Sequence, residues 1–236
     1  LYNNMLSSLS NSAFGMKFFV SGGGGGGGCA PSTVGLDQFY NFTAGDLVGV
    51  TVKNHVTDTF DGDAIGLCEI ENNTLKVTNT TGTNSQFSTY YPTGPSDVTI
   101  SFWVQVTNAE GGYGGILQWD DDQNPTNEIT LHYNNGAKKV YFTGTGAPAN
   151  IQRNQDLADA LHHIVFTQSV ADGIVVYIDN VSRLTYTNAS NITRNYLGFG
   201  LGKTTTYGVD GFYENVRIYD RVLSLSEISD LYTCDL

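Results

Sequence analysis

The stretch "DVTISFWVQV", Asp97 to Val106, alternates strictly. Val98, Ile100, Phe102, Val104 and Val106 fall on one face of an extended chain, and Thr99, Ser101, Trp103 and Gln105 fall on the other. A period of two belongs to a strand, whereas a helix repeats every 3.6 residues. Similar segments follow: "GILQW", "EITLHY", "KKVYFTG", "LHHIVFTQ", "GIVVYIDN", "NYLGFGLG" and "GFYENVRIYD". Each is bounded by turn residues and none is interrupted by proline, which a paired strand excludes. Asn134-Asn-Gly136 is a hairpin signal between two of them. Short strands at near-regular spacing predict an all-β fold, two antiparallel sheets packed as a jelly-roll sandwich.

One segment reads differently. In "LSLSEISDLY", Ser224 and Glu227 have capping-box spacing, and Leu223 and Ile228 are placed as a hydrophobic staple. Leu225, Ile228, Leu231 and Tyr232 form an apolar stripe, so a short C-terminal helix is expected to lie on the sandwich.

Charge narrows the partners. The chain carries 23 acids against 11 bases, a net −12 over 236 residues. Such a surface repels phosphate backbones, so nucleic acid is not an expected partner. No apolar run approaches the ~20 residues of a membrane span, so no membrane insertion is expected.

Residues 1–28 stand apart as an arm and a glycine tether, leaving 29–236 as the sandwich. The arm holds one apolar patch with Phe14, Met16, Phe18, Phe19 and Val20, followed by seven glycines, Gly22 to Gly28. Glycines without side chains make a spacer. The patch is a candidate for adding a strand to another copy's sheet edge. Six glycosylation sequons, at Asn41, Asn72, Asn79, Asn180, Asn188 and Asn191, point to a cell-surface, virion-surface or otherwise extracellular location. Three cysteines, Cys29, Cys68 and Cys234, leave at least one without an intrachain partner.

Chemistry-bearing groups are few. "QWDDDQNPTNE" places Asp120, Asp121 and Asp122 between two expected strands, with Asn124 nearby, on a loop at the sandwich rim. Asp120 and Asp122 are the converging pair, and calcium, which takes six to eight oxygens, is the candidate cofactor. Asp and Asn are also ordinary turn formers. Asp58, Asp61 and Asp63 in "DTFDGD" form a second acidic cluster of the same kind. His162 and His163 adjoin on a strand and face opposite ways, so they cannot share a metal, and one is expected to be a hydrogen-bonded core histidine. In "VRIYDR", Val216 and Ile218 are expected to face the core, with Arg217 in an ion pair at a sheet edge. "GFGLGK" is glycine-rich but precedes no helix and so cannot cradle a phosphate as a P-loop does.

Several of these stretches together resemble the laminin-G-like, concanavalin A-like jelly-roll family. "LDQFYNFTAGD" is similar to its opening strand and "SDVTISFWVQV" to its "ftisfWv" strand, with Trp103 at the tryptophan position. "LHHIVFTQSVADGIVVYIDN" resembles the paired strands written "WHHVAFT…GxxxLYVDG". "DGFYENVRIYDRVLSLSEISDLY" resembles the closing "GxIDDVRIYxRALSxxEIxxLY" and is the most specific match. The resemblance covers about residues 35–234. Departures are Leu161 for Trp, Asn180 for Gly, and Glu214 and Asn215 for two Asp. The "GVTVKNHVTDTFDGDAIG" segment lacks the Asp-x-Ser-Gly-Asn-Gly turn that helps hold calcium in many members.

The resemblance implies that the chain termini approach one another, which makes Cys29–Cys234 the expected disulfide and leaves Cys68 free and buried among Ile65, Leu67 and Ile70. It also brings glycosidases into view, since some share this sandwich. Those carry Glu-x-Asp-x-x-Glu or a close variant, which this sequence lacks. Glu69 and Glu71 on one strand face lie ~7 Å apart, above the separation of a retaining pair. The expected function is therefore non-catalytic recognition or adhesion, with a glycan or protein ligand held by calcium-assisted rim loops. A structural subunit that binds copies of itself through the arm is the alternative, and a glycoside hydrolase the second alternative.

Overall fold

The computed structural model describes residues 30–57, 61–79, 85–91, 97–109, 112–121, 124–144, 151–187, 194–201 and 208–235. The arm residues Phe14 to Val20, together with Cys29, Asp58, Asp122, Asn188 and Asn191, lie outside them. The strands run β1 (Leu36–Tyr40), β2 (Leu47–Val48), β3 (Thr51–Val52), β4 (Gly62–Ile65), β5 (Leu67–Glu71) and β6 (Thr74–Thr78). Next come β7 (Gln86–Tyr90), β8 (Val98–Ala109), β9 (Tyr113–Asp121), β10 (Asn124–Asn134), β11 (Lys139–Gly144) and β12 (Ile151–Asn154). The last are β13 (His162–Ser169), β14 (Gly173–Ile178), β15 (Val181–Tyr186), β16 (Tyr196–Phe199) and β17 (Val209–Tyr219), before helix α1 (Leu225–Cys234).

They form two antiparallel sheets and a jelly-roll sandwich. The eight-stranded sheet has the order β15-β14-β13-β8-β17-β6-β5, with β1 also pairing β17. The nine-stranded sheet is β12-β11-β10-β9-β16-β7-β4-β3-β2. The chain passes between sheets at Gly66, whose φ of +76° suits glycine and whose absent Cβ would meet Ser85 Oγ at 2.6 Å. Two-residue turns with both φ positive close two hairpins, Asn72-Asn73 between β5 and β6 and Asp179-Asn180 between β14 and β15. Asn tolerates this region, which explains how Asn180 stands in for the glycine of the resembling motif.

The inward faces seal by aromatic packing. Phe102 of the eight-stranded sheet meets Phe199 of the nine-stranded sheet edge-on at 5.3 Å, and Phe199 stacks on Phe87 at 5.5 Å. Burying each such ring contributes about 1.5–3 kcal/mol. In β17 the alternation breaks. Val209, Gly211 and Tyr213 face inward, but so do Val216 and Ile218. A bulge opposite Trp103 to Ser101 inserts one residue between Glu214 and Arg217, with Asn215 at φ 49°.

The middle of the outer face of the eight-stranded sheet, over β13, β8 and β17, is covered by α1. Ser224 and Glu227 form the capping box, and Leu223, Ile228 and Leu231 pack with Val165 and Tyr219. Leu225, expected on the stripe, is instead exposed, because the stripe begins at Leu223 before the helix. Tyr232 stacks on Trp103 at 5.7 Å, and Trp103 on His163 at 5.0 Å. His163 is fully buried and bonds Ser101 Oγ through Nε2 at 2.8 Å. Burial, aided by the Arg217 charge, pushes it down to about 3, so it is the neutral core histidine. Arg217 pairs with Asp235 in bidentate fashion beneath the helix end and not at a sheet edge, since β17 has neighbours on both sides. Arg221 forks onto Glu227 at 2.5 and 3.0 Å, which holds the Glu227 carboxyl well below its ordinary range.

Candidate functional site

Helix α1 lies on the middle of one outer face, and the outer face of the nine-stranded sheet carries the candidate site. Cross-strand register defines it. Thr143 lies opposite Thr130, Thr130 opposite Gln118, Gln118 opposite Gly198, Gly198 opposite Ser88, Ser88 opposite Asp63 and Asp63 opposite Thr51. Directly opposed residues share a face. The neighbouring row, Phe142, Leu131, Leu117, Phe199, Phe87 and Ala64, is the core row. A continuous polar row thus crosses seven strands, and Thr130 to Asp63 spans about 19 Å at the ~4.8 Å strand spacing.

Tyrosines flank the row. Tyr196 lies between Tyr90 and Asp120 in register, and Tyr113 and Tyr141 approach to 5.6 Å at the other end. Gly198 sits at the centre for a steric reason. Gln86 and Tyr196, each two positions away along its strand, meet above it through a 2.9 Å bond from Gln86 Nε2 to Tyr196 Oη. A Cβ on Gly198 would come within 3.1 Å of Gln86 Oε1 and 3.6 Å of the Tyr196 ring. Beside it, Gln118 Nε2 donates to Asp120 Oδ2 at 2.7 Å. A carboxylate only accepts, so this bond fixes which end of the Gln118 amide is oxygen. Thr130 donates to Glu128 at 2.6 Å, and His132 shares a 3.0 Å bond with Thr143.

Both amides have their nitrogen used and their oxygen unused. Gln86 and Gln118 are each 8% exposed, and Oε1 of each is buried without a hydrogen-bond partner. Leaving a buried acceptor unmet costs about 1–3 kcal/mol. The two glutamines flank one glycine, Gln118 opposite it in register and Gln86 Oε1 3.1 Å from where its Cβ would lie, on a face of hydroxyls, carboxylates and tyrosines.

The sites expected from sequence fall elsewhere or apart. Of the acids of "QWDDDQNPTNE", Asp120 and Asp121 belong to a strand rather than to the expected loop, and Asp122 lies outside the described residues. β9 runs through Asp121 and β10 starts at Asn124, and Asp120 lies on the outer face of the sheet. The side chain of Asn124 lies outside the described residues. Asp61 is spent on the backbone of Asn54 at 2.8 Å, and Asp63 is exposed. Asp63 and Asp120 stand three strands apart, about 14 Å. The two acidic clusters are thus separate places on the sheet, and among the described residues no group of three or more His, Cys, Asp or Glu is arranged to hold a metal.

Glu69 and Glu71 are exposed on edge strand β5, with Glu69 3.4 Å from Lys76. That setting lacks the burial that keeps a catalytic carboxylic acid protonated. Cys68 is the free cysteine among the described residues but only half-buried, because Ile65 and Leu67 are exposed rather than packed around it. Burial still pushes its thiol up to about 11.

Of the sequons, Asn72 and Asn180 are exposed on hairpin turns and Asn41 is half-buried. Asn79 is not a surface acceptor. It is 5% exposed, and Nδ2 donates to the carbonyls of Ser85, Gly200 and Val209 while Oδ1 accepts from the Ser85 N–H.

Comparison with known proteins agrees with this architecture. A laminin-G-type family model described as the concanavalin A-like lectin/glucanases superfamily matches residues 75–229, and the chain belongs to that family. No curated protein sequence matches it. Among solved structures, Trypanosoma rangeli sialidase superposes with a TM-score of 0.68 at 19% identity, covering 86% of this chain and 33% of the sialidase. The binding domain of botulinum neurotoxin DC, solved in complex with rat synaptotagmin II, gives 0.64 at 11% identity, covering 84% of this chain and 51% of that domain. The serotype G binding domain gives 0.62 at 15%, covering 84% and 50%. The chain therefore spans about a third of the sialidase and half of the toxin domains, and the likeness is one of fold.

Proposed function

We propose that this domain is a non-catalytic recognition module that binds a glycan on the outer face of its nine-stranded sheet. The observation carrying this reading is the polar row from Thr143 to Asp63, flanked by Tyr90 and Tyr196 and holding two unmet amide oxygens. Amides, hydroxyls and carboxylates offer the directional hydrogen bonds a polyhydroxylated ring needs, and tyrosine rings offer flat apolar surface for its C–H faces. Membership of a lectin and glucanase superfamily supports the choice of ligand class. The exposed Glu69 and Glu71 support the absence of catalysis.

The extracellular or surface location and the Cys29–Cys234 bridge belong to the same proposal. Exposed sequons at Asn72 and Asn180 support the first. The second is supported by the chain ends, since Ser32 bonds Tyr219 and Arg221 while Asp235 bonds the neighbouring Arg217.

The test is binding to immobilised oligosaccharides by the wild type, by Tyr90→Ala/Tyr196→Ala, and by Leu225→Ser on the opposite side. The wild type and Leu225→Ser should bind alike, and the tyrosine pair should lose binding. Equal binding by all three would refute the site. Release of reducing ends, abolished by Glu69→Gln or Glu71→Gln, would replace recognition with hydrolysis.

A further inference from the structure

We infer that the centre of this face, where Gln86 and Gln118 border Gly198, is a hydroxyl-selecting subsite that takes uncharged sugars and rejects sialylated and sulfated ones. The inference rests on the glycan reading above and adds the chemical class of ligand.

The unused groups at the centre are acceptors. Gln86 Oε1 and Gln118 Oε1 have no partner, while both amide nitrogens are engaged, with Tyr196 and Asp120. Among the described residues the side chains around them are acidic or neutral: Asp120, Glu128 and Asp63 lie on this face, and His132 bonds Thr143. Lys139, on the same face, is at the far end of β11, where it bonds Gln152. A carboxylate or sulfate has acceptor oxygens and no proton to give. Placed among amide oxygens and carboxylates in a chain of net charge −12, it would meet net repulsion that the few hydroxyl donors of the row do not offset. A sugar hydroxyl donates and accepts at once, so it can give its proton to Gln118 Oε1 while taking one from a neighbouring amide. The amide oxygens are covered by side chains, so entry requires the Gln86–Tyr196 bond to open, a rearrangement of the size side chains commonly make on binding.

Selectivity then runs opposite to what the sialidase likeness would suggest. The experiment uses the full chain against a panel of neutral oligosaccharides and the same oligosaccharides capped with sialic acid or sulfate. The variants are Gln118→Met and Gly198→Ala, whose folding is checked by thermal melting. Gly198 does not have a positive φ, and its new methyl meets the movable Gln86 amide closely and the Tyr196 ring at ordinary contact distance, so that variant carries the test if Gln118→Met fails to fold. The inference predicts binding of at least one neutral oligosaccharide, at least tenfold weaker binding of its acidic-capped form, and at least tenfold loss in the folded variants. Acidic-capped glycans bound as tightly as neutral ones, with loss in both variants, would overturn the selectivity while leaving glycan recognition at this face intact. Binding that both variants leave unchanged, or no binding across the panel, would overturn the recognition reading and this inference with it.

Discussion

Asn79 gives the sharpest test of how the sandwich is held closed at one end. Its side chain ties three separate segments together, through the carbonyls of Ser85, Gly200 and Val209 at 3.1, 3.1 and 2.9 Å and the Ser85 N–H at 2.8 Å. All four bonds are buried. Asn79→Ala removes them and leaves three carbonyls and one N–H behind. Nδ2 has two hydrogens to share among three carbonyls, so the contacts amount to three full bonds, and at about 1 kcal/mol net per bond the loss is about 3 kcal/mol, and more if water fails to enter the gap. For a chain of this size that corresponds to roughly 6–12 °C in melting temperature. Asn79→Asp keeps the shape but turns the three donations into oxygen–oxygen contacts, so it should lose at least as much at neutral pH. Urea unfolding followed by tryptophan fluorescence measures the change. A loss under about 1 kcal/mol for Asn79→Ala would refute the reasoning. So would a glycan found on Asn79 by mass spectrometry after expression in a glycosylating host.

Three further outcomes follow from the described geometry. Burial lowers the His162 pKa, but hydrogen bonds to Asp179 at 2.7 Å and Asp159 at 2.9 Å outweigh it and hold the imidazole raised. The stabilisation is therefore complete below ~6.5, the unfolded value, and is lost as pH rises through the folded value. Asp179 is itself held low, so its share disappears only in acid, as pH falls below ~3.9. His162→Ala should flatten the fall in stability as pH rises above ~6.5, and an unchanged slope would count against the pairing. Ser224→Ala should cost about 1 kcal/mol by removing the helix cap, whereas Leu225→Ser at an exposed site should change stability by less than about 0.5 kcal/mol. Gly66→Ala forces a positive φ and a contact with Ser85, so it should destabilise by more than about 1 kcal/mol, measured by the same unfolding assay.

The fold was legible because its main signals are local. The alternation from Val98 to Val106, the capping box at Ser224 and Glu227, and the closing motif each lie within a short window of chain. The break in β17 was not, because a bulge changes parity without a residue type that announces it. Leu225 misled because the staple residue Leu223, outside the helix, takes the place that helical periodicity alone gives to Leu225. The acids at Asp120 to Asp122 suggested a loop by their turn preference, but pairing with β10 and β16 draws Asp120 into the sheet.

The candidate site was hidden for a different reason. Ser88, Gln118, Thr130 and Gly198 are brought into line only by register between strands far apart in sequence. A polar residue such as Gln118, between Leu117 and Trp119, looks like any outward position of a half-buried strand. Its unmet oxygen becomes visible only when its neighbours are in place.

The most direct test is a titration of isotopically labelled domain with a neutral oligosaccharide it binds, followed by nuclear magnetic resonance of the glutamine side-chain amides. The account predicts saturable shifts of the Gln86 and Gln118 amide signals, with backbone changes centred on Gly198 and Ser88. Shifts confined to α1, to the Asn72-Asn73 turn or to Glu69 and Glu71, with both glutamine amides unmoved, would contradict it.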